Sequence, residues 1–186
     1  MRLVFLIMLG FVLTLGTAQA REEFWYAGAG GGATYVDDDA GAFAELDNKG
    51  GMYKVYGGYR LSTYVAIELE YADYGDYNYR IGRYNDEISY KSLTASLVIM
   101  YPLIWDEIEL FTPLGGSAVY TDYGIDNKTL GGFKYGFGMV YTPSNYKEFS
   151  LRIGWDKLVL DIDNGDDDQK YKQNISSFYI TAQYNF

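Results

Sequence analysis

The sequence predicts an all-β protein: an eight-stranded antiparallel up-and-down transmembrane β-barrel that follows a cleaved signal peptide. Three observations lead to this fold class. The chain opens with a secretory leader, and stretches of about ten residues then alternate between apolar and polar side chains. The connections between these stretches alternate between short and long. Short turns at one end and long loops at the other are typical of membrane barrels.

The leader occupies residues 1–20. Arg2 gives a positive start, residues 3–15 are almost wholly apolar, and Ala18-Gln19-Ala20 offers small residues at the two positions that a signal peptidase reads. An N-terminal membrane anchor is the less favoured alternative, because the run is too short and wrongly flanked for a spanning helix. We therefore expect residues 21–186 to be exported and to form one domain, the outer-membrane barrel.

The composition excludes several classes of protein. Without Arg2, 14 Lys and Arg stand against 25 Asp and Glu, so the mature domain has a formal net charge of −11. Such a charge argues against nucleic acid as a partner and against docking on anionic lipid. The chain has no cysteine and no histidine, which excludes disulfides and zinc–thiolate sites and removes the commonest general base. We expect no metal, no cofactor and no enzymatic activity.

Four strands alternate clearly. They are the second, third, seventh and eighth, at about 53–61, 65–72, 149–156 and 178–186. The other four are less regular, at about 24–36, 91–103, 107–121 and 131–142. Val98 and Met100 put apolar side chains on the polar face of the fourth strand, and Pro113 predicts a bulge in the fifth because proline cannot donate to the ladder.

The connections fall into two classes. Short ones are predicted at 61–63, 104–106 and 143–147, and long, acidic ones at 37–50, 73–90, 122–130 and 157–172. Outer-membrane barrels show this alternation, with short turns on the periplasmic side and long loops outside.

Alternation alone does not say which face meets water. Aromatic residues bracket several strands, and the last strand carries Tyr184 and Phe186 on its apolar side. Such girdles are typical of the two membrane–water interfaces. The polar faces carry charges of both signs, which a dry carrier barrel would not point inward. We therefore expect lipid to meet the face that carries Ile67, Leu69, Leu151, Ile153, Ile180 and Ala182. The alternative is a soluble periplasmic carrier barrel, with the faces reversed.

Several segments resemble one family. The segment 57–68, Gly-Gly-Tyr-Arg-Leu-Ser-Thr-Tyr-Val-Ala-Ile-Glu, resembles the second hairpin of the OmpA-type transmembrane domain. Weaker likenesses spread over the mature chain: Tyr101-Pro102, Leu114-Gly115-Gly116, Tyr141-Thr142-Pro143, Leu151-Arg152-Ile153 and Ala182-Gln183-Tyr184-Asn185-Phe186. The resemblance implies a bacterial outer-membrane location. It also implies that the barrel-assembly machinery recognises the last strand through Tyr184 and Phe186. The resemblance covers the barrel domain and not the peptidoglycan-binding domain into which full-length members continue, so we do not expect cell-wall anchoring.

The inward charges are the first candidate site. They are Lys54, Arg60, Glu68, Glu70, Lys134, Arg152 and Asp156. Glu68 and Arg152 lie on strands four apart in a ring of eight, so they should reach toward each other, and Lys54 is one cross-strand or diagonal step from Glu70. In the resembling family, matching residues belong to a charge network that closes the lumen. Two readings stay open: mutual neutralisation inside a narrow barrel, or a gated path for ions.

The loops are the second candidate site. The loop at 76–91 combines four Tyr with Arg80 and Arg83, residue types that favour either adhesion to an external ligand or contact with lipopolysaccharide phosphates. The segment 161–166 faintly resembles a calcium loop, but Lys172 stands where a bidentate Glu is needed.

We expect a monomeric protein with a structural role in the envelope and four loops on the cell surface. Its expected partners are outer-membrane lipids, lipopolysaccharide, the barrel-assembly machinery and periplasmic chaperones. A narrow, gated, porin-like pore for ions or small solutes is the alternative.

Overall fold

The computed structural model describes residues 23–38, 45–46, 49–81, 84–104, 107–122, 127–163 and 170–186. Its long strands are β1 (Phe24–Asp38), β2 (Lys49–Ser62), β3 (Val65–Ile81), β4 (Tyr84–Ile104), β5 (Ile108–Asp122), β6 (Asn127–Tyr141), β7 (Phe149–Asp163) and β8 (Lys170–Asn185). A two-residue strand, Glu45–Leu46, pairs with β3 near its far end. The predicted signal peptide lies outside the described residues.

The eight long strands form a closed antiparallel ring. Each pairs with the next along the chain, and β1 also pairs with β8 through partners such as Ala29 and Ala182. Closure removes every sheet edge from the ring, which a sheet in hydrocarbon requires because lipid cannot hydrogen-bond to a free N–H or C=O. The predicted all-β, eight-stranded antiparallel barrel is confirmed.

The two faces of the sheet are arranged as the sequence predicted for a membrane barrel. Ile67 and Leu151 point outward and are 49% and 42% exposed, whereas the next residues, Glu68 and Arg152, point inward and are buried. An apolar exterior around a polar interior is the arrangement that a lipid environment favours. Among the residues that the structure describes, no helix has the length and apolarity needed to cross a membrane.

Aromatic side chains mark both ends of the apolar belt. At the end that carries the short turns, the ring centroids of Trp25 and Tyr59 are 4.8 Å apart and those of Phe149 and Tyr184 are 5.2 Å apart. At the opposite end the exposed aromatic residues include Tyr35, Tyr53, Tyr120, Phe133 and Phe178. Tyr and Trp favour the interface because one part of the ring system is apolar and another can hydrogen-bond.

The strands are longer than the sequence predicted. The segment 73–90 was expected to be a loop, but β3 continues to Ile81 and β4 starts at Tyr84. A bulge explains the missed strand: the β3–β4 register shifts between Asp73 and Asp76, and Gly75 adopts a positive φ of 78°. One inserted residue reverses which side chains point inward. The alternation of polar and apolar residues is therefore interrupted here, although the strand continues. Parts of the expected loops at 37–50, 122–130 and 157–172 likewise belong to the neighbouring strands.

The bulge expected at Pro113 is not found. The β5–β6 register has the same offset at Phe111–Gly138 and at Leu114–Tyr135, so no residue is inserted between them. On its other side Pro113 pairs with Val98 of β4. Pro113 has no N–H to donate. The β5–β6 ladder lacks pairs at residues 112 and 113, and the register on either side of them is the same.

Candidate functional site

The lumen contains eight buried charged side chains, four basic and four acidic, among the residues that the structure describes. Seven of them are the inward residues named from the sequence, and the eighth is Glu109 of β5. The buried charges therefore cancel. Since an unpaired charge is costly to bury, the arrangement requires each to have a partner.

Four of these residues form a mixed quartet near the middle of the barrel. The Lys54 Nζ lies 2.8 Å from a Glu70 oxygen and 2.9 Å from an Asp156 oxygen. The Lys134 ammonium contacts the same two carboxylates, Glu70 and, at 3.2 Å, Asp156. Each carboxylate thus lies between two ammonium groups. The residues come from β2, β3, β6 and β7, so the quartet joins distant strands across the lumen.

Glu68 and Arg152 form a second group beside the quartet. The Arg152 Nη1 lies 2.6 Å from the Glu68 Oε2, and the Tyr26 hydroxyl donates a hydrogen bond to the same oxygen over 3.0 Å. The guanidinium carbon of Arg152 also lies 3.9 Å from the ring centroid of Phe111 and 4.8 Å from that of Tyr56. Arg152 is therefore held by one carboxylate and two aromatic rings.

Arg60 forms a separate ion pair with Glu109. Its guanidinium makes two hydrogen bonds to the Glu109 carboxylate, over 2.9 and 2.7 Å, and one to the Thr63 carbonyl oxygen over 2.7 Å. This bidentate pair lies near the end with the short turns. Sequence reasoning missed Glu109, although its inward place follows from the alternation of β5, because Pro113 made that strand hard to read.

Four of the buried aromatic residues contact or lie beside these charges and were not predicted as site residues. Tyr26, Tyr56, Phe111 and Tyr179 face inward, and Tyr179 contacts both members of an ion pair. Its ring centroid is 3.3 Å from the Lys54 Nζ, and its hydroxyl donates to the Asp156 Oδ1 over 3.3 Å. The available signal was the glycine content of the facing strands, but it can be read only once the register is known.

A cavity of about 710 Å³ opens at the end with the short turns. Arg60 and Glu109 are on its wall, and Tyr26, Met100 and Val140 are among the residues that line it. None of the quartet residues, nor Glu68 or Arg152, lines this cavity. The Arg60–Glu109 pair therefore borders this cavity, whereas the central charges do not.

The remaining candidates lie away from the lumen. Tyr184 and Phe186 are exposed at the turn end, where their ring centroids are 5.0 Å apart and the Phe186 N–H donates to the Trp25 carbonyl oxygen over 2.8 Å. Arg80 belongs to β3, but its side chain, like all of Arg83, lies outside the described residues. Within the described ranges no group of His, Cys, Asp and Glu is arranged to hold a metal ion.

Comparison with known proteins gives a consistent result. A family model described as "OmpA-like transmembrane domain" matches residues 20–186. Outer membrane protein A of Klebsiella aerogenes is 27% identical over 109 residues, which are 55% of this chain and 31% of that protein. The chain thus spans about a third of the length of this curated relative.

Solved structures share the fold at low sequence identity. Neisserial surface protein A has a TM-score of 0.64 at 15% identity, over 91% of this chain and all of that one. The outer membrane protein OprG of Pseudomonas aeruginosa has a TM-score of 0.56 at 11% identity, over 91% and 98% of the two chains. Both are bacterial outer-membrane barrels, which agrees with the inverted faces of this chain.

Proposed function

The chain belongs to the family of OmpA-like transmembrane domains and is a protein of the bacterial outer membrane, and from this premise we propose that it is a structural barrel with a closed lumen that supports envelope integrity. One observation carries the proposal. The described lumen is spanned by a charge-balanced network in which Glu70 and Asp156 each contact two lysines, and Arg152 contacts Glu68. A ring of eight strands leaves an interior that side chains can fill.

A deletion strain tests this role. Loss of the protein should sensitise cells to detergent and release periplasmic protein, and the wild-type gene should reverse both effects. A complementing F137A variant serves as the matched control, because Phe137 points outward and its change leaves the buried charges intact. Normal detergent resistance of the deletion strain would contradict an envelope role.

The surface loops supply a second part of the proposal. The formal net charge of the chain is −10, and the described buried charges cancel, so the excess negative charge lies outside the lumen. Adhesion to an external ligand would then favour a basic partner. Binding of fluorescent polylysine and of a polyanion to intact cells, with and without the protein, tests this sign: only polylysine should show protein-dependent binding.

Lipopolysaccharide is the partner proposed for the outer boundary of the belt. Lys91 lies two residues beyond the outward Leu93, and its side chain is 44% exposed. Lys157 lies two residues beyond Trp155 and directly across the ladders from Tyr135 and Ser176. Cations just outside an aromatic girdle are placed to meet lipid phosphates. Adding lipopolysaccharide should raise the thermal midpoint of the wild type more than that of K91A/K157A, with K147A, at a short turn, as the control.

The pore alternative has one supporting observation. The cavity of about 710 Å³ extends into the barrel as far as Arg60 and Glu109. A path for ions would still have to pass Arg152 and the quartet. Liposome swelling in small sugars distinguishes the two: a structural barrel leaves the swelling rate at that of empty liposomes.

A further inference from the structure

Four polar side chains lie side by side on the wall of the cavity at the end with the short turns. They are Thr142, Ser150, Gln183 and Asn185, and we call them the polar wall. The first three are each at least nine-tenths buried. The two hydroxyl oxygens are 2.8 Å apart, and Gln183 Nε2 donates to Asn185 Oδ1 over 2.8 Å. The cavity thus has an ordered polar side built on the last strands of the ring.

The bonds within the polar wall leave donors unused. Asn185 Nδ2 donates to Ser150 Oγ over 3.0 Å and to the Lys147 carbonyl oxygen over 2.9 Å. A hydroxyl carries one hydrogen. Whichever of Thr142 and Ser150 donates to the other, the second hydroxyl hydrogen has no acceptor among the residues that the structure describes. Gln183 likewise donates one of its two amide hydrogens, to Asn185.

The ion pair on the cavity wall adds a donor and an acceptor. Arg60 has five N–H groups. Four of them bond to Glu109 and to the carbonyl oxygens of Ser62 and Thr63, which leaves one hydrogen on Nη1. The Glu109 carboxylate also lines the cavity and places acceptor oxygens beside that hydrogen. Because the two charges cancel, this pair favours a neutral polar ligand over an ion.

Apolar side chains complete the lining. Phe24, Met100 and Val140 lie on the cavity, and the rings of Phe24 and Tyr26 meet edge to face with their centroids 6.4 Å apart. A volume of about 710 Å³ is ordinary for a small-molecule site, and such sites combine apolar walls with a few placed polar groups. The charges of the whole lining are nearly balanced, with two basic residues against three carboxylates: Arg60, Lys147, Glu23, Glu109 and Glu148.

We infer that this cavity is a binding site for a neutral mono- or disaccharide that enters from the side of the short turns. Each sugar hydroxyl both donates and accepts, so one ring has acceptors for the unused hydrogens of the polar wall and of Arg60, and donors for Glu109. The C–H faces of the ring suit Phe24 and Met100. An apolar ligand would instead exclude water from the unused donors and leave them unpaired, which is costly.

Methionine methyl groups provide a local readout of binding. Residues 21–186 contain three methionines, at 52, 100 and 139. Met100 lines the cavity, Met52 is buried elsewhere in the lumen, and Met139 faces outward. The barrel, labelled with ¹³C at the methionine methyl groups, is refolded in lipid nanodiscs without sugar detergents and titrated with glucose and with maltose. We expect a saturable shift of the Met100 signal at millimolar sugar, while the other two signals stay unchanged.

Two variants and a matched control identify the polar wall as the binding surface. Q183A and S150A each remove part of the wall and should weaken the apparent affinity about three- to tenfold, as the loss of one or two hydrogen bonds would. Q173A is the control, because Gln173 is also a buried glutamine of β8 but does not line the cavity. It should keep the wild-type affinity. Heat-modifiable gel mobility establishes that each variant is folded, and S150A covers the case in which Q183A is not.

The same titrations contain the results that would overturn the inference. Spermidine and citrate serve as a cationic and an anionic probe at equal ionic strength. A saturable Met100 shift with either of them and none with the sugars would assign the cavity to another class of ligand. The absence of a saturable shift with both sugars would exclude the site, and equal sugar affinities of S150A, Q173A and the wild type would exclude the polar wall.

Discussion

The Arg152 guanidinium reaches the Glu68 carboxylate, 2.6 Å away, from a strand four places distant in the ring. The pair therefore crosses the lumen, joining β7 to β3 where no backbone hydrogen bond does. Tyr26 adds a third strand by donating to the same carboxylate oxygen. Side-chain bonds of this kind stiffen the ring from inside, while the backbone ladders stabilise only neighbouring strands.

Loss of Glu68 should destabilise the barrel. Removing one partner of a fully buried ion pair typically costs about 3–5 kcal/mol, because the other charge is left without a counter-ion. Cation–π contacts to Phe111 and Tyr56 should keep the cost of E68A toward the low end of that range. The measurement is urea unfolding in lipid vesicles. The double variant E68A/R152A should recover part of the loss, and strict additivity of the two single changes would contradict the coupling.

A methyl group added at a glycine that an aromatic ring packs against should lower the stability of the barrel, whereas one added at a glycine with open space around it should not. In G154A the new methyl group meets the Tyr179 phenol, and overpacking of this kind costs about 1–3 kcal/mol. Gly116 provides the matched control, because nothing lies within 4 Å of a Cβ added there. Unfolding midpoints of G154A and G116A in the same vesicles give the comparison. Equal midpoints would show that the Tyr179 ring is free to move.

A charge on the outer face should be tolerated less well than one inside. Ile180 points outward within the apolar belt, and I180R should cost about 2–4 kcal/mol near the bilayer midplane. Q183R is the control, because Gln183 lines the solvent-reaching cavity at the turn end. If Q183R were the more destabilising variant in vesicles, the assignment of the lipid face would be wrong.

The aromatic end of β8 should matter more for assembly than for stability. Tyr184 and Phe186 make ring contacts on the outer surface, and Phe186 is 72% exposed, so Y184A/F186A removes little buried area. We expect the double variant to accumulate unassembled in the periplasm and yet to refold in detergent with a near-wild-type midpoint. Normal surface levels in cells would count against recognition by the assembly machinery.

The fold was largely predictable because spanning strands repeat with a period of two. Alternation placed Glu68 and Arg152 on one face and Ile67 and Leu151 on the other, and the aromatic girdles and the charges of both signs indicated which face is inside. It failed at the bulge near Gly75, where one inserted residue reverses the phase, so that residues such as Tyr77 were assigned to a loop. A local change of one residue leaves no signal in composition.

The site was predictable as a set of residues but not as a set of contacts. Alternation named the inward charges, whereas the Arg60–Glu109 pair and the quartet depend on which strand levels coincide. The match of Phe111 with Gly138 is likewise a property of register. Register is determined by the packing of all eight strands together, which a single strand's sequence does not contain.

The closed lumen is the central claim, and the current through the wild-type protein in a planar lipid bilayer tests it most directly. With refolded barrels of verified heat-modifiable mobility, the account predicts a membrane current equal to that of the protein-free bilayer at moderate voltages. Reproducible ohmic steps that depend on the folded protein would contradict it.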